Sequence, residues 1–297
     1  MSIATSTPDR ILQRLDWQVI RKLDGLLQGD YRSLFYGYGV DFADLREYQA
    51  EDDVRYMDWN VTARMDAPYV RQYLEEREIT AWFLLDLSPS IDFGTVQNLK
   101  RTMLIDFVTT LARLLTRHGN RIGAILYDSR VERIIPARGG RNQVLLLIHD
   151  LLNQPSLPRA PFTNLSLLFQ MALNSIKRRS LVFVVSDFIS EPGWEHYLSL
   201  LNRRHEVLAI RLWDPRETEL PDAGPIIMED AETGEQLYVD TSDEKFRARF
   251  QEAARQREAE MRMAFKRAGV DALSLSTNTD LVKAIIGFAQ ERKTRRK

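Results

Sequence analysis

The residues whose spacing first suggests chemistry are Asp86-Leu87-Ser88-Pro89-Ser90, a DxSxS pattern of one carboxylate and two hydroxyls directly after the apolar run Ala81 to Leu85. Oxygen donors of this kind suit a hard divalent cation, and octahedral oxygen coordination selects Mg2+ or Mn2+ over softer metals. Three donors from one turn do not complete such a shell. Thr163, in the loop Pro161-Phe162-Thr163-Asn164, and Asp187, at the end of the run Leu181 to Ser186, are the candidates for the remainder. The set Asp86, Ser88, Ser90, Thr163 and Asp187 would leave the ion under-neutralised with one position open, so that a carboxylate from a protein partner can complete the shell. Each member also has a plainer use. Ser88 and Ser90 can cap a turn, and Thr163 or Asp187 can serve as a helix N-cap. What favours the cation is conjunction, because the motif and the second aspartate both fall at strand ends and the threonine opens a crossover helix.

The elements that must position these residues are four strand-length apolar runs, Ala81 to Leu87, Ile122 to Tyr127, Leu181 to Val185 and Val207 to Leu212. They lack clean alternation, as parallel strands covered on both faces do. Between them lie helical periods at Asn98 to His118, Gly140 to Leu152 and Ser166 to Arg178. The order predicts an α/β domain with a doubly wound, mostly parallel sheet flanked by helices. In such sheets ligands bind at the carboxyl ends of the strands, where the DxSxS stands. Val131 to Pro136 follows the Ile122 strand after a short turn at Ser129 and should close one edge antiparallel. Glu232-Thr233-Gly234-Glu235 between Ile226-Ile227-Met228 and Leu237-Tyr238-Val239 signals a β-hairpin insertion within 214–241. Ser242 to Ala268 reads as a long charged helix, Val270 to Leu275 as a weak strand and Asp280 to Arg292 as a last helix. The expected division is an N-terminal helix and irregular appendage at 1–78, the α/β domain at 79–292 and a basic tail at 293–297, with the terminal stretch from Arg292 to Lys297 expected to fray.

Composition narrows the classes. The 297 residues are 44% hydrophobic and 28% charged with a formal net charge of -1, which gives no global pull toward nucleic acid or membrane. The absence of cysteine excludes disulfides, thiolate nucleophiles, Zn-thiolate sites and iron-sulfur clusters. The N-terminus shows no signal-peptide pattern and no apolar run has the length of a membrane span, so a cytoplasmic protein is expected. Charge is nonetheless polarised, with 11 acidic and 5 basic residues from Asp41 to Glu78 against 8 acidic and 14 basic from Asp243 to Lys297. Two solvated faces account for this without nucleic acid.

The assembled donors resemble the metal-ion-dependent adhesion site of von Willebrand factor A domains, in which DxSxS, a loop threonine and a later aspartate cooperate. A wider resemblance begins at Tyr38-Gly39-Val40-Asp41-Phe42-Ala43-Asp44-Leu45-Arg46-Glu47-Tyr48 and Asp52-Asp53-Val54-Arg55-Tyr56-Met57-Asp58-Trp59-Asn60. It continues through Tyr69-Val70-Arg71-Gln72-Tyr73-Leu74-Glu75-Glu76-Arg77-Glu78 and includes Asp214-Pro215-Arg216-Glu217 and Thr233-Gly234-Glu235. These stretches are similar to the bacterial domain-of-unknown-function family fifty-eight. The resemblance implies a von Willebrand factor A-like fold and a MoxR-type AAA+ ATPase as partner, for which the chain would be a binding partner or substrate adaptor. No GxxxxGK[ST] stretch is present, so nucleotide would come with that partner. Asp58, Trp59 and Asn60, with Arg55 and Arg64, are expected to form a buried polar network docking the appendage. The aromatics Tyr31, Phe35, Tyr36, Tyr38 and Tyr48 are expected to pack rather than recognise.

A metal-dependent protein-binding module, not an enzyme, is therefore the expected function. The alternative is a metal-assisted hydrolase in which Asp86 and Asp187 position an ionised water. No general base with a shifted pKa is evident from sequence, and His118, His149, His196 and His205 lie in no catalytic spacing.

Overall fold

The computed structural model describes residues 7–23, 45–49, 54, 57–65, 67–71, 78–95, 98–155 and 162–295. Its centre is a six-stranded sheet whose uniform apolarity has a simple cause. β3 (Thr80–Asp86) sends Ala81, Phe83 and Leu85 to one face and Leu84 to the other, and each face is covered by helices. β4 (Arg121–Tyr127), β6 (Leu181–Ser186) and β7 (Glu206–Trp213) divide their side chains in the same way. With β5 (Val131–Arg138) and β10 (Asp271–Ser276) at the edges, the order is β10-β7-β6-β3-β4-β5. Every neighbouring pair is parallel except β4 with β5, which the short turn between them forces to be antiparallel. The expected doubly wound, mostly parallel architecture is present. Gly123 in β4 is required by a close approach, since a Cβ there would stand 2.9 Å from the Trp82 ring and 3.0 Å from the Ile135 carbonyl oxygen.

One face carries α1 (Pro8–Leu15), α3 (Lys100–Arg117), α4 (Arg141–Asn153) and α8 (Leu281–Arg295). The other carries α5 (Leu165–Ser175), α6 (Trp194–Arg204) and α7 (Glu244–Ala268). The N-terminal segment, in which α1 runs on into a π-helical turn at Asp16–Ile20, is fixed by Ile11, Leu12, Leu15, Ile20 and Leu23, all buried in the first core. Two of its ion pairs, Arg141 with Asp9 at 2.8 Å and Arg117 with Asp16 at 3.0 Å, are partly or well exposed and contribute at most about 1 kcal/mol each. Five buried aliphatic side chains at about 1.5–3 kcal/mol apiece outweigh them.

Two expectations are corrected. The appendage is not wholly irregular, because β1 (Leu45–Glu47) pairs antiparallel with β2 (Tyr69–Arg71) beside α2 (Trp59–Met65). Three-residue strands are too short to show periodicity. Within this block Asp58 is buried and its Oδ1 accepts the Val61 N–H at 3.2 Å, while Trp59 and Arg64 are exposed, so neither belongs to a buried docking network. Arg55, the Asn60 side chain, Tyr31, Phe35, Tyr36 and Tyr38 lie outside the described residues, as does the signature from Tyr38 to Asp44. The second correction concerns the end of the chain. Arg292 is not part of a frayed tail but is buried within α8, where its guanidinium donates to Glu206 at 2.7 Å and to Asp271 at 2.9 Å. It thereby ties the last helix to β7 and β10.

The hairpin insertion forms as a separate ladder, β8 (Pro225–Glu229) with β9 (Gln236–Asp240), joined to neither edge of the main sheet. Among the described residues no helix is long and apolar enough to cross a membrane.

Candidate metal centre

Asp86 is the last residue of β3 and is fully buried. Its Oδ1 accepts the Ser88 N–H at 3.0 Å and its Oδ2 accepts the Ser186 hydroxyl at 2.6 Å. Ser186 stands beside it because β3 and β6 run parallel in a register that pairs Leu85 with Val185. Burial, and then the neighbouring Asp187 charge, push the Asp86 carboxyl up to about 7, while the bonds from Ser186 and Ser88 pull in the other direction. The chain then turns into a short 3-10 helix, Pro89–Asp92, with Ser88 before it. The Ser88 hydroxyl makes no capping bond. It lies 3.2 Å from the Ser90 hydroxyl, and both residues are buried.

Thr163 and Asp187 come to the same edge of the sheet. Asn164, not Thr163, is the N-cap of α5, its side chain accepting the Ser166 N–H at 3.1 Å, so the threonine is free of the capping role. The loop is held by Tyr127, whose Oη accepts the Asn164 N–H at 3.1 Å, and by the Thr163 carbonyl, which accepts the Glu191 N–H and the Ser190 hydroxyl, each at 2.9 Å. Asp187 is likewise no helix cap, since Gly193 occupies that position before α6. Its Oδ1 accepts the Ile189 N–H at 3.0 Å, which bends the chain sharply. Between them Phe188 adopts a left-handed φ of 59°, costing about 1–2 kcal/mol for a residue with a Cβ. Its ring packs edge-on against Phe265 at 4.8 Å and tilted against Trp194 at 5.4 Å, and that burial offsets the strain.

Three participants were not identified from sequence. Lys100, the first residue of α3, is buried and donates from Nζ to Asp187 Oδ2 at 2.8 Å and to Glu217 Oε1 at 2.6 Å. Burial alone would lower its pKa, but Asp187 and Glu217 outweigh it and the ammonium is held above its ordinary range. Glu217 is positioned by a reciprocal capping arrangement with Asp214, which in turn accepts from Thr95 N–H at 2.9 Å and hydroxyl at 2.5 Å, and from the Thr277 hydroxyl at 2.6 Å. The third is Glu232, at the tip of the hairpin. It is 7% exposed, and its Oε1 accepts the Thr163 hydroxyl at 2.8 Å. Asp214-Pro215-Arg216-Glu217 was visible in the sequence as a signature segment and Glu232-Thr233-Gly234-Glu235 as a hairpin turn, but nothing local showed that Glu217 and Glu232 reach this edge.

The donor set fits a hard cation. Oxygens adjacent on an octahedron with bonds near 2.1 Å lie ~3 Å apart. The Ser88–Ser90 and Thr163–Glu232 oxygen pairs, at 3.2 and 2.8 Å, have that spacing. Among the described residues, Asp86, Asp187, Glu217 and Glu232 set four carboxyl groups against the ammonium of Lys100, the nearby Arg211 being paired with Glu258. Among the described residues no three carboxylates or imidazoles converge closely enough to hold an ion by themselves, so the hydroxyls would have to supply part of the shell.

Fold and site together define a doubly wound α/β domain with an acidic, hydroxyl-lined cluster at the carboxyl edge of its central strands. The chain belongs to the family described as "Protein of unknown function DUF58", whose model matches residues 44–260. An uncharacterized protein of Mycobacterium tuberculosis is 35% identical over 282 residues, covering 95% of this chain and 89% of its own length. A second, from Mycobacterium avium, is 32% identical over 159 residues, 54% of this chain and 94% of its own. Among solved structures, the conserved hypothetical protein BatB of Bacteroides thetaiotaomicron aligns with 73% of this chain and 99% of its own at 14% identity and a TM-score of 0.47. The manganese-loaded TRAP protein of Plasmodium vivax aligns with 45% of this chain and 57% of its own at 19% identity and a TM-score of 0.35.

Proposed function

We propose that this chain is a metal-dependent protein-binding module and not an enzyme. Asp86, Ser88 and Ser90 would hold Mg2+ or Mn2+, Thr163 and Asp187 would complete the set directly or through water, and a carboxylate of a protein partner would be recognised through the ion. The supporting observation is the pair of buried hydroxyls, Ser88 and Ser90, spaced as octahedral neighbours beside a carboxyl that burial and then the Asp187 charge push up to about 7. Exposed Phe93, Phe162 and Ile189 follow or precede the three donor segments, an apolar rim suited to a protein surface. The partner or client we propose is a MoxR-type AAA+ ATPase or a protein handed to it, in the cytoplasm.

Isothermal calorimetry of the intact chain with MnCl2 and MgCl2 tests the centre. One ion per chain, lost in Asp86→Ala, is the expected result, and an absence of binding by the wild type would remove it. Capture of a MoxR-type ATPase in the presence of metal, and not with chelator, tests the partner.

The metal-assisted hydrolase gains one observation, since Asp86 near 7 is the shifted base that was not evident from sequence. Burial and the Asp187 charge cause that shift, and a bound cation offsets both, returning Asp86 to a ligand. Turnover of phosphoesters or peptides that disappears in Asp187→Ala would reverse the order of the two readings.

A further inference from the structure

We infer that the hairpin tip residue Glu232 is a built-in ligand of this centre, supplying the carboxylate that closes the shell, so that an acidic partner has to displace the hairpin to reach the ion. The inference rests on the metal reading above and adds to it a residue, a competitor and a moving element.

Glu232 is the one buried residue at the hairpin tip, 230–235, while on the strands Val239 is buried and Ile226 and Met228 are half-buried. Ile227, Leu237 and Tyr238 on the strands of the same hairpin are 64%, 61% and 72% exposed, whereas Glu232 is 7% exposed. A carboxylate is a costly group to bury and is rarely found so unless it is paired or coordinates a cation. Here it meets only neutral donors, the Thr163 hydroxyl at 2.8 Å on Oε1 and the Ser90 backbone N–H, and its Oε2 is buried without a hydrogen bond of ordinary geometry among the described residues. The cationic side chain of the cluster, Lys100, is directed to Asp187 and Glu217 instead. The Glu232 carboxylate feels the Asp187 charge and lies against the Ser90 backbone, which places it among the proposed donors and not behind them.

The hairpin is built to present this one side chain. At its tip Asp230 Oδ1 accepts the N–H of Glu232 at 3.0 Å and the N–H and hydroxyl of Thr233 at 2.8 and 3.0 Å. The Asp230 N–H and carbonyl also bond to Glu235 and Gly234 across the turn, where Gly234 takes a φ of 72° that a residue with a Cβ would resist. A rigid tip therefore rides on a two-stranded ladder that pairs with no other strand. Isolated two-stranded hairpins are marginal in water, so docking of the tip, together with the burial of Val239, orders this one. A carboxylate of the chain's own, held on a weakly supported arm at the position a partner carboxylate would take, competes with that partner intramolecularly.

The test uses the intact chain, MnCl2 as the probe, and hydrogen exchange of the hairpin amides as a readout independent of any partner. In wild type, saturating Mn2+ should slow exchange across residues 225–240, and in Glu232→Gln it should not. Mn2+ affinity in Glu232→Gln should fall by at least about tenfold, the loss that removal of even an outer-shell group commonly causes, with one ion per chain retained. Acetate should then bind the Mn2+ form of Glu232→Gln and not that of wild type. Tight Mn2+ binding that needs Asp86 but is unchanged in Glu232→Gln, with hairpin exchange indifferent to metal, would overturn the inference while leaving the metal centre in place. No Mn2+ binding by the wild type would overturn both. The wild-type exchange comparison needs no variant, so it decides even if Glu232→Gln folds poorly.

Discussion

Lys100 Nζ stands 2.8 Å from Asp187 Oδ2, and both side chains are 1% exposed. The ammonium arrives from the start of α3 and the carboxylate from the end of β6, so this contact fixes the crossover helix over the centre. It also splits the acidic cluster into two parts. Asp187 and Glu217 share the internal cation, and Asp86 and Glu232 are left without one.

Removing that cation should be severe. Truncating one partner of a buried ion pair costs about 3–5 kcal/mol, because the other charge remains buried. Lys100→Met is expected to lose stability on that scale by urea denaturation, and Lys100→Met with Asp187→Leu should recover part of it. A single variant within about 1 kcal/mol of wild type would show that water reaches the pair.

Stability without metal should depend on pH through Asp86. The folded protein holds this proton up to about 7, whereas the unfolded chain releases it near 3.8. Folding is therefore favoured below the lower value, and the advantage is lost as pH rises through the window, with a ceiling on the order of 4 kcal/mol. In chelator, Asp86→Asn should flatten the slope between about pH 4 and 7 and exceed wild-type stability at about pH 8. Mn2+ should abolish most of the wild-type slope. Urea titrations at a series of pH values check both signs.

Phe188 offers a test of backbone strain beside the site. Both Phe188→Ala and Phe188→Gly should lose about 3–5 kcal/mol of ring packing. Glycine ordinarily ranks below alanine by about 0.5–1 kcal/mol. At the left-handed φ of 59° the order should invert, the glycine variant melting higher than the alanine one. Thermal unfolding of the pair side by side would show whether the turn after Asp187 is strained in solution.

Tyr127 is one anchor of the threonine loop, beside Ser190 and Glu191, and acts through one hydroxyl. Tyr127→Phe leaves the Asn164 N–H without its acceptor and should cost about 1–3 kcal/mol. It should also weaken Mn2+ binding, since Thr163 immediately precedes Asn164. Unchanged affinity with lowered stability would separate the loop anchor from the centre.

The strands and the principal helices were legible because burial on both sheet faces leaves unbroken apolar runs, and Ala81 to Leu85 could be read without any tertiary knowledge. DxSxS could be read for the same reason, being local. Thr163 and Asp187 were legible by position, at a loop and a strand end. What makes the site acidic was not. Lys100 opens a helix with no sign that it faces inward, and Glu217 and Glu232 are charged residues in turns, where solvent exposure is the ordinary outcome. Their burial comes from contacts 117 residues apart for Lys100 with Glu217 and 69 apart for Thr163 with Glu232, which no window along the chain contains. The three-residue strands of the appendage failed for the opposite reason, being too brief to carry a period.

Asp214 gathers Thr95, after β3, and Thr277, after β10, into one buried knot. The family match stops at residue 260, so this knot, the edge strand β10 and the Arg292 pairs all depend on chain beyond the matched span. A fragment trimmed at the family boundary would leave β7 as an open edge and Asp214 without one of its donors, and Asp214 is what orients Glu217 toward Lys100. The centre is thus not portable as the family-matched segment alone. Any transplant, fusion or truncation meant to carry it has to extend through the last helix.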